Sequence, residues 1–143
     1  KEDRDALVEG ISSGIMEAIS TNHAPHSAEE KSRSIAKAPF GIVGSETVLS
    51  LTMTYLVHTG KLTPYEMVER MSYSPAQIIG IDRGSLAEGK IADIAVIDPD
   101  KEYTIHSEDF VSKGKNTPFE GFKVRGKVME TIVGGKIVYS GRE

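Results

Sequence analysis

The residues best suited to chemistry lie in one run, Thr21-Asn22-His23-Ala24-Pro25-His26-Ser27. It places an amide and two imidazoles around a proline that restricts the backbone between them. Such a set offers metal ligands, substrate hydrogen bonds or proton-transfer groups. A His-x-x-His pair outside a helix is a weak metal pattern, and solvated or helix-capping histidines produce the same spacing. A second segment follows, Ala38-Pro39-Phe40-Gly41-Ile42-Val43-Gly44. Its glycines allow close backbone approach, and free N–H groups ahead of a helix can receive an anion. Taken alone, it also reads as an ordinary glycine-containing loop. Other chemistries are disfavoured. The chain has no cysteine, hence no thiolate ligand or thiol nucleophile. No Gly-x-Ser-x-Gly elbow, Walker loop or dinucleotide fingerprint occurs.

The elements that must position these residues follow from periodicity. Residues 1–14 read as a helix with Ala6, Leu7, Ile11 and Ile15 on one face. The short run 16–21 reads as a strand, which would set the polar cluster at a strand's C-terminal end, where parallel α/β barrels keep their sites. Residues 22–41 read as a long functional loop. A helix is expected over 45–58 with Ser45 as its cap, Gly60 marking the stop. Thr63-Pro64-Tyr65-Glu66 is a capping-box start for a helix to about Met71, and Ser74-Pro75 starts another that ends near Gly80. After Gly84 the texture turns to β: 92–98 as a strand stopped by Pro99, then 123–133 and 136–139 joined by Gly134-Gly135 as a hairpin.

The 143 residues, 38% hydrophobic and 27% charged with a net charge of −4, fit a globular chain of about one domain. Lysine and arginine are scattered, which argues against a nucleic-acid footprint. No apolar run approaches the roughly 18 residues of a membrane span, so no membrane role is expected. A cytoplasmic location is compatible. The chain opens in a helical pattern rather than on methionine, which reads as a cut or processed end.

The run 21–27, with Glu29-Glu30-Lys31 and Ala38 to Gly44, resembles the dihydroorotase signature of the amidohydrolase superfamily. Ser74-Pro75-Ala76, the run 84–98 (GSLAEGKIADIAVID), Lys115-Asn116-Thr117-Pro118-Phe119 and the closing stretch from Gly126 to Gly135 fit the same family in the same order. The resemblance implies an α/β fold: a metal-dependent (β/α)8 barrel with a small β domain built from both chain ends. Residues 1–82 would be the last part of that barrel with its active-site loop, and 83–143 the C-terminal share of the β domain. A whole barrel takes about 250 residues, so the chain is expected to be an incomplete C-terminal portion without most zinc ligands. The implied reaction is the reversible hydrolysis of dihydroorotate to N-carbamoyl-aspartate in pyrimidine biosynthesis, by a cytoplasmic homo-oligomer with zinc as cofactor.

Residue by residue, the resemblance makes His26 a substrate-binding histidine and Phe40 and Gly41 the backbone that meets the substrate ring. It gives His23 no separate role, and His58 and His106 read as surface residues. Position 22 is the departure. The family carries there an aspartate that touches zinc and moves the proton from the attacking water to the leaving ring nitrogen. Asn22 occupies that catalytic and metal-ligand position here. An amide does not ionise in this range, and loss of such a group costs roughly 10²–10⁴ in rate. The chain alone is therefore expected to be inactive and to hold zinc weakly. The alternatives are another cyclic amidohydrolase, allantoinase or dihydropyrimidinase, against which the Ala38–Gly44 segment speaks, and a silent scaffold for aspartate carbamoyltransferase, which Asn22 favours.

Overall fold

The computed structural model describes residues 1–141. Helical segments come first and a three-stranded antiparallel sheet closes the chain. Helix α1 (Glu2–Ser12) forms where expected, but of its apolar stripe only Ile11 is buried, and Leu7 is 56% exposed. No basic residue lies in its last turn. The charge that suits a helix C-terminus arrives from elsewhere in the chain: the buried Arg70 donates from Nε to the Ile11 carbonyl at 2.9 Å.

The run expected as a strand over 16–21 has no regular secondary structure and joins no ladder. Its amide at Ile19 donates instead to the Arg70 carbonyl at 2.9 Å. A strand needs a neighbour, and the described strands are all committed to the C-terminal sheet.

Helix α2 (Ala28–Lys31) is a single turn inside the expected loop. Helix α3 (Val48–Thr52) starts later than expected and widens into a π turn over Met53–Val57. Ser45 is not its cap, because the first helical residue is Val48 and Thr47 stands at the cap position. Helix α4 (Pro64–Val68) begins with the expected box, Thr63 and Glu66 each satisfying the other's backbone N–H. It does not stop near Met71. It passes through a second π turn, Glu69–Tyr73, into α5 (Ser74–Ile79), which Gly80 closes in a left-handed conformation. Pro75 explains the wider turn: its ring crowds the carbonyl four residues back and offers no N–H.

Strands β1 (Ile94–Thr104), β2 (Lys123–Val133) and β3 (Lys136–Ser140) pair in that order. Pro99 does not end β1. The register jumps from Asp98 opposite Lys127 to Glu102 opposite Arg125, and Asp98 Oδ1 accepts the amides of Asp100 and Lys101 at 3.0 Å each. A proline at a bulge on an edge strand costs the ladder little. The Gly134-Gly135 hairpin forms as expected.

Val43, Met53, Leu62, Met67, Ile105 and Val124 are buried and make up most of the core. The sheet meets α3 and its π turn very closely. The Arg125 amide donates to Thr54 Oγ1 at 2.8 Å. A Cβ placed on Gly126 would stand 2.7 Å from Met53 Cγ, and Gly126 has φ +90°. We expect Gly126→Ala to lower stability by about 2–4 kcal/mol, overpacking and backbone strain acting together. Thermal denaturation measures the loss, and adding Met53→Ala is expected not to restore it, because Met53 Cβ itself would stand 2.8 Å from the added atom.

Candidate functional site

The two segments singled out in the sequence lie side by side. Ala24 donates its amide to the Ile42 carbonyl at 2.9 Å. A Cβ on Gly41, at φ +123°, would lie 2.5 Å from Ala24 Cβ, so only glycine permits this approach. Behind the pair, Val43 is buried and anchors the second segment to the core.

His23 holds the arrangement from below. Its Nδ1 accepts two backbone amides, from Gly44 at 3.0 Å and Ser45 at 3.2 Å. A nitrogen that accepts carries its lone pair there, which places the ring proton on Nε2. This corrects two expectations: the N–H groups at Gly44 and Ser45 are not free for an anion, and His23 has a role of its own. Contacts across 21 and 22 residues leave no local pattern by which sequence could reveal them.

His26 points across to the second segment, its Nε2 donating to the Phe40 carbonyl at 3.0 Å. Its Nδ1 lies 3.6 Å from Glu30 Oε2. Glu30 accepts the Ser27 amide at 3.0 Å and the Ser27 hydroxyl at 3.2 Å, completing a capping box on α2. The Ser27 amide first, then the Ser27 hydroxyl and more weakly the adjacent imidazole, holds the Glu30 carboxyl below its ordinary value of 4.5. The Ser27-x-x-Glu30 pattern was present in the sequence and could have identified this turn.

Phe40 contributes backbone, since its ring is 98% exposed. The Gly41 carbonyl is held by two donors, Lys31 Nζ at 3.1 Å and Asn116 Nδ2 at 2.9 Å, and Lys31 also reaches the Pro39 carbonyl at 3.0 Å. Lys31 and Asn116 were not among the expected site residues. His58 and His106 are exposed and lie outside the site, as expected.

Asn22 stands exposed between Thr21 and His23 with φ +43°, the one non-glycine residue at positive φ among those described. Asparagine and aspartate tolerate this conformation better than other side-chain-bearing residues. No group of three or more His, Asp or Glu among the described residues is placed to hold a metal. His23 Nδ1 and His26 Nε2 are spent on the backbone, which leaves His26 Nδ1, beside Glu30, and the neutral Asn22 oxygen. Catalytic zinc takes three protein ligands. The described residues do not make such a site by themselves.

Residues 1–138 match the description of the amidohydrolase family. The chain is 47% identical to a dihydroorotase of Clostridioides difficile over 140 residues, which is 98% of this chain and 33% of that protein. A Geobacillus dihydroorotase is 48% identical over 144 residues, 100% of this chain and 34% of its own length. Among solved structures, the L-hydantoinase (dihydropyrimidinase) of Arthrobacter aurescens superposes with a TM-score of 0.89 at 32% identity, over 96% of this chain and 32% of that one. The dihydropyrimidinase of Brevibacillus agri does so with a TM-score of 0.90 at 27% identity, over 97% and 32%. The chain thus spans about a third of the length of the proteins it matches.

Two outcomes follow from the site's geometry. Asn22→Gly is expected to leave stability nearly unchanged, whereas Asn22→Val should cost about 1–2 kcal/mol because a β-branched residue is strained at positive φ; chemical denaturation compares them. Since the folded-state pKa of Glu30 is depressed, its cap is intact above the ordinary 4.5 and is lost as pH falls through the lower folded value. The Ser27 amide resonance should therefore titrate with a midpoint below 4.5. A midpoint at or above it would contradict the cap.

Proposed function

The chain belongs to the amidohydrolase family, and from that membership we propose that it is the C-terminal portion of a dihydroorotase. The full enzyme then hydrolyses the cyclic amide of dihydroorotate reversibly to N-carbamoyl-aspartate, within pyrimidine biosynthesis. The observation that carries this reading is the apposition of the Asn22–His26 loop to the Phe40–Gly41 backbone. It sets a histidine N–H donor against a close backbone edge, and position 22 lies in the same loop. The higher identity to dihydroorotases than to the hydantoinase structures supports the choice of substrate.

In this reading residues 1–82 complete a (β/α)8 barrel and 83–143 form part of a small β domain. His26 Nε2–H, which now donates to Phe40, is the donor that a substrate carboxylate takes over. The backbone of Phe40 and Gly41 borders the ring, with the Gly41 carbonyl turned away onto Lys31 and Asn116. Hydrolysis adds water across the amide: oxygen bonds to the carbonyl carbon, the carbon–nitrogen bond breaks, and the proton must reach the ring nitrogen. A carboxylate at position 22 carries that proton; the Asn22 amide does not. Zinc belongs to this proposal as the cofactor of the assembled enzyme, with its ligands drawn mainly from outside this chain. Asn22 provides at best one neutral oxygen.

We place the enzyme in the cytoplasm as a homo-oligomer. No helix among the described residues is long and apolar enough to cross a membrane. Asn22 favours one further reading, a silent homologue that acts as a scaffold for aspartate carbamoyltransferase. The hydantoinase-like fold keeps a third in view, hydrolysis of another cyclic amide.

Asn22→Asp in the full-length protein decides among them. We expect dihydroorotate hydrolysis to rise by roughly 10²–10⁴, followed as loss of the ring amide. Turnover of hydantoins or dihydropyrimidines but not dihydroorotate would move the assignment to those enzymes. Silence on every cyclic amide, with carbamoyltransferase still bound, would favour the scaffold.

A further inference from the structure

We propose that Asn116 is a positioning residue, one that sets the spacing between the two halves of the candidate site. The proposal rests on the functional reading above and extends it to the C-terminal region. Asn116 lies 90 residues from His26 in sequence, yet its Oδ1 accepts the His26 amide at 3.4 Å. The other end of the same planar amide donates from Nδ2 to the Gly41 carbonyl at 2.9 Å. Its main-chain carbonyl accepts the Val43 amide at 3.0 Å. One residue thus touches both segments, through an acceptor on one side and a donor on the other. Asparagine supplies both on a rigid frame of fixed width.

The segment carrying Asn116 is itself seated on the site. Gly114 is buried, and a Cβ there would lie 2.8 Å from Pro25 Cβ, inside the histidine loop. Glu46, just ahead of α3, accepts the amides of Val111 at 2.7 Å and Ser112 at 3.1 Å. Residues 111–116 therefore run as a strap packed against both segments. Through the Gly41 carbonyl, shared with Lys31, the strap fixes the peptide plane that follows Gly41. A substrate ring that reads the Phe40–Gly41 backbone meets an edge whose orientation is set by Asn116.

Asn116→Asp tests this in the full-length protein. It retains the acceptor for His26 but aims an oxygen at the Gly41 carbonyl in place of the donor. Hydrogen exchange is read by mass spectrometry, and the dissociation constants of dihydroorotate and N-carbamoyl-aspartate by calorimetry. The expected result is exchange about tenfold faster confined to 24–27 and 41–44, with α4 unchanged. Both ligands should bind about tenfold more weakly. Asn116→Ser, too short to reach either segment, gives the same readings should the aspartate variant fail to fold. Unchanged exchange at 41–44, or a rise spread evenly over α4 and β2, would overturn the proposal. So would a local rise in exchange that leaves both dissociation constants unaltered. If the unsubstituted protein binds neither ligand, the dihydroorotase reading fails, and the exchange pattern alone decides the place of Asn116.

Discussion

The arrangement depends on one imidazole nitrogen. His23 Nδ1 receives the amides of Gly44 and Ser45, and that pair of bonds ties the polar loop to the chain leading into α3. The other apposed contacts need this closure: Ala24 on Ile42, His26 on Phe40, and the Gly41 backbone against Ala24. Buried or half-buried backbone N–H groups must find partners. Here a side chain serves where helix capping or water would otherwise do so. The same bonds fix the tautomer of His23 and remove Nδ1 from any metal chemistry.

A second layer of restraint comes from far along the chain. The polar loop has little regular structure of its own beyond the single turn of α2. Its shape is imposed by Lys31, by the strap through Gly114 and Asn116, and by the buried Val43. The β-rich C-terminal region is thus part of the candidate site, although it supplies none of the residues expected to meet substrate. Its sheet is in turn pressed on α3 at Gly126 and Met53. Packing there and polar geometry at the site are connected through α3.

What was legible in the sequence was local. The Thr63 capping box, the Gly80 stop and the Gly134-Gly135 hairpin each rest on residues within a few positions of one another. The two site segments were also legible, because proline and glycine beside imidazoles mark them. What was hidden depended on distant partners. Ser45 reads as a cap, but the chain from Gly44 to Ser45 is drawn onto His23 and the helix begins only at Val48. Residues 16–21 read as a strand but find no neighbouring strand among the described residues. Pro99 reads as a stop until Asp98 folds a bulge around it. Asn116 reads as part of a stretch that fits the family, and only its contacts with His26 and Gly41 reveal more.

The central claim is that the edge formed by residues 22–26 and 40–41 receives a cyclic amide. A crystal structure of the full-length protein with dihydroorotate tests it most directly. The account predicts the ring against the Phe40–Gly41 backbone, its carboxylate on His26, and the scissile amide facing the side chain at position 22. Ligand bound elsewhere, or a structure in which these segments stand apart, would contradict it.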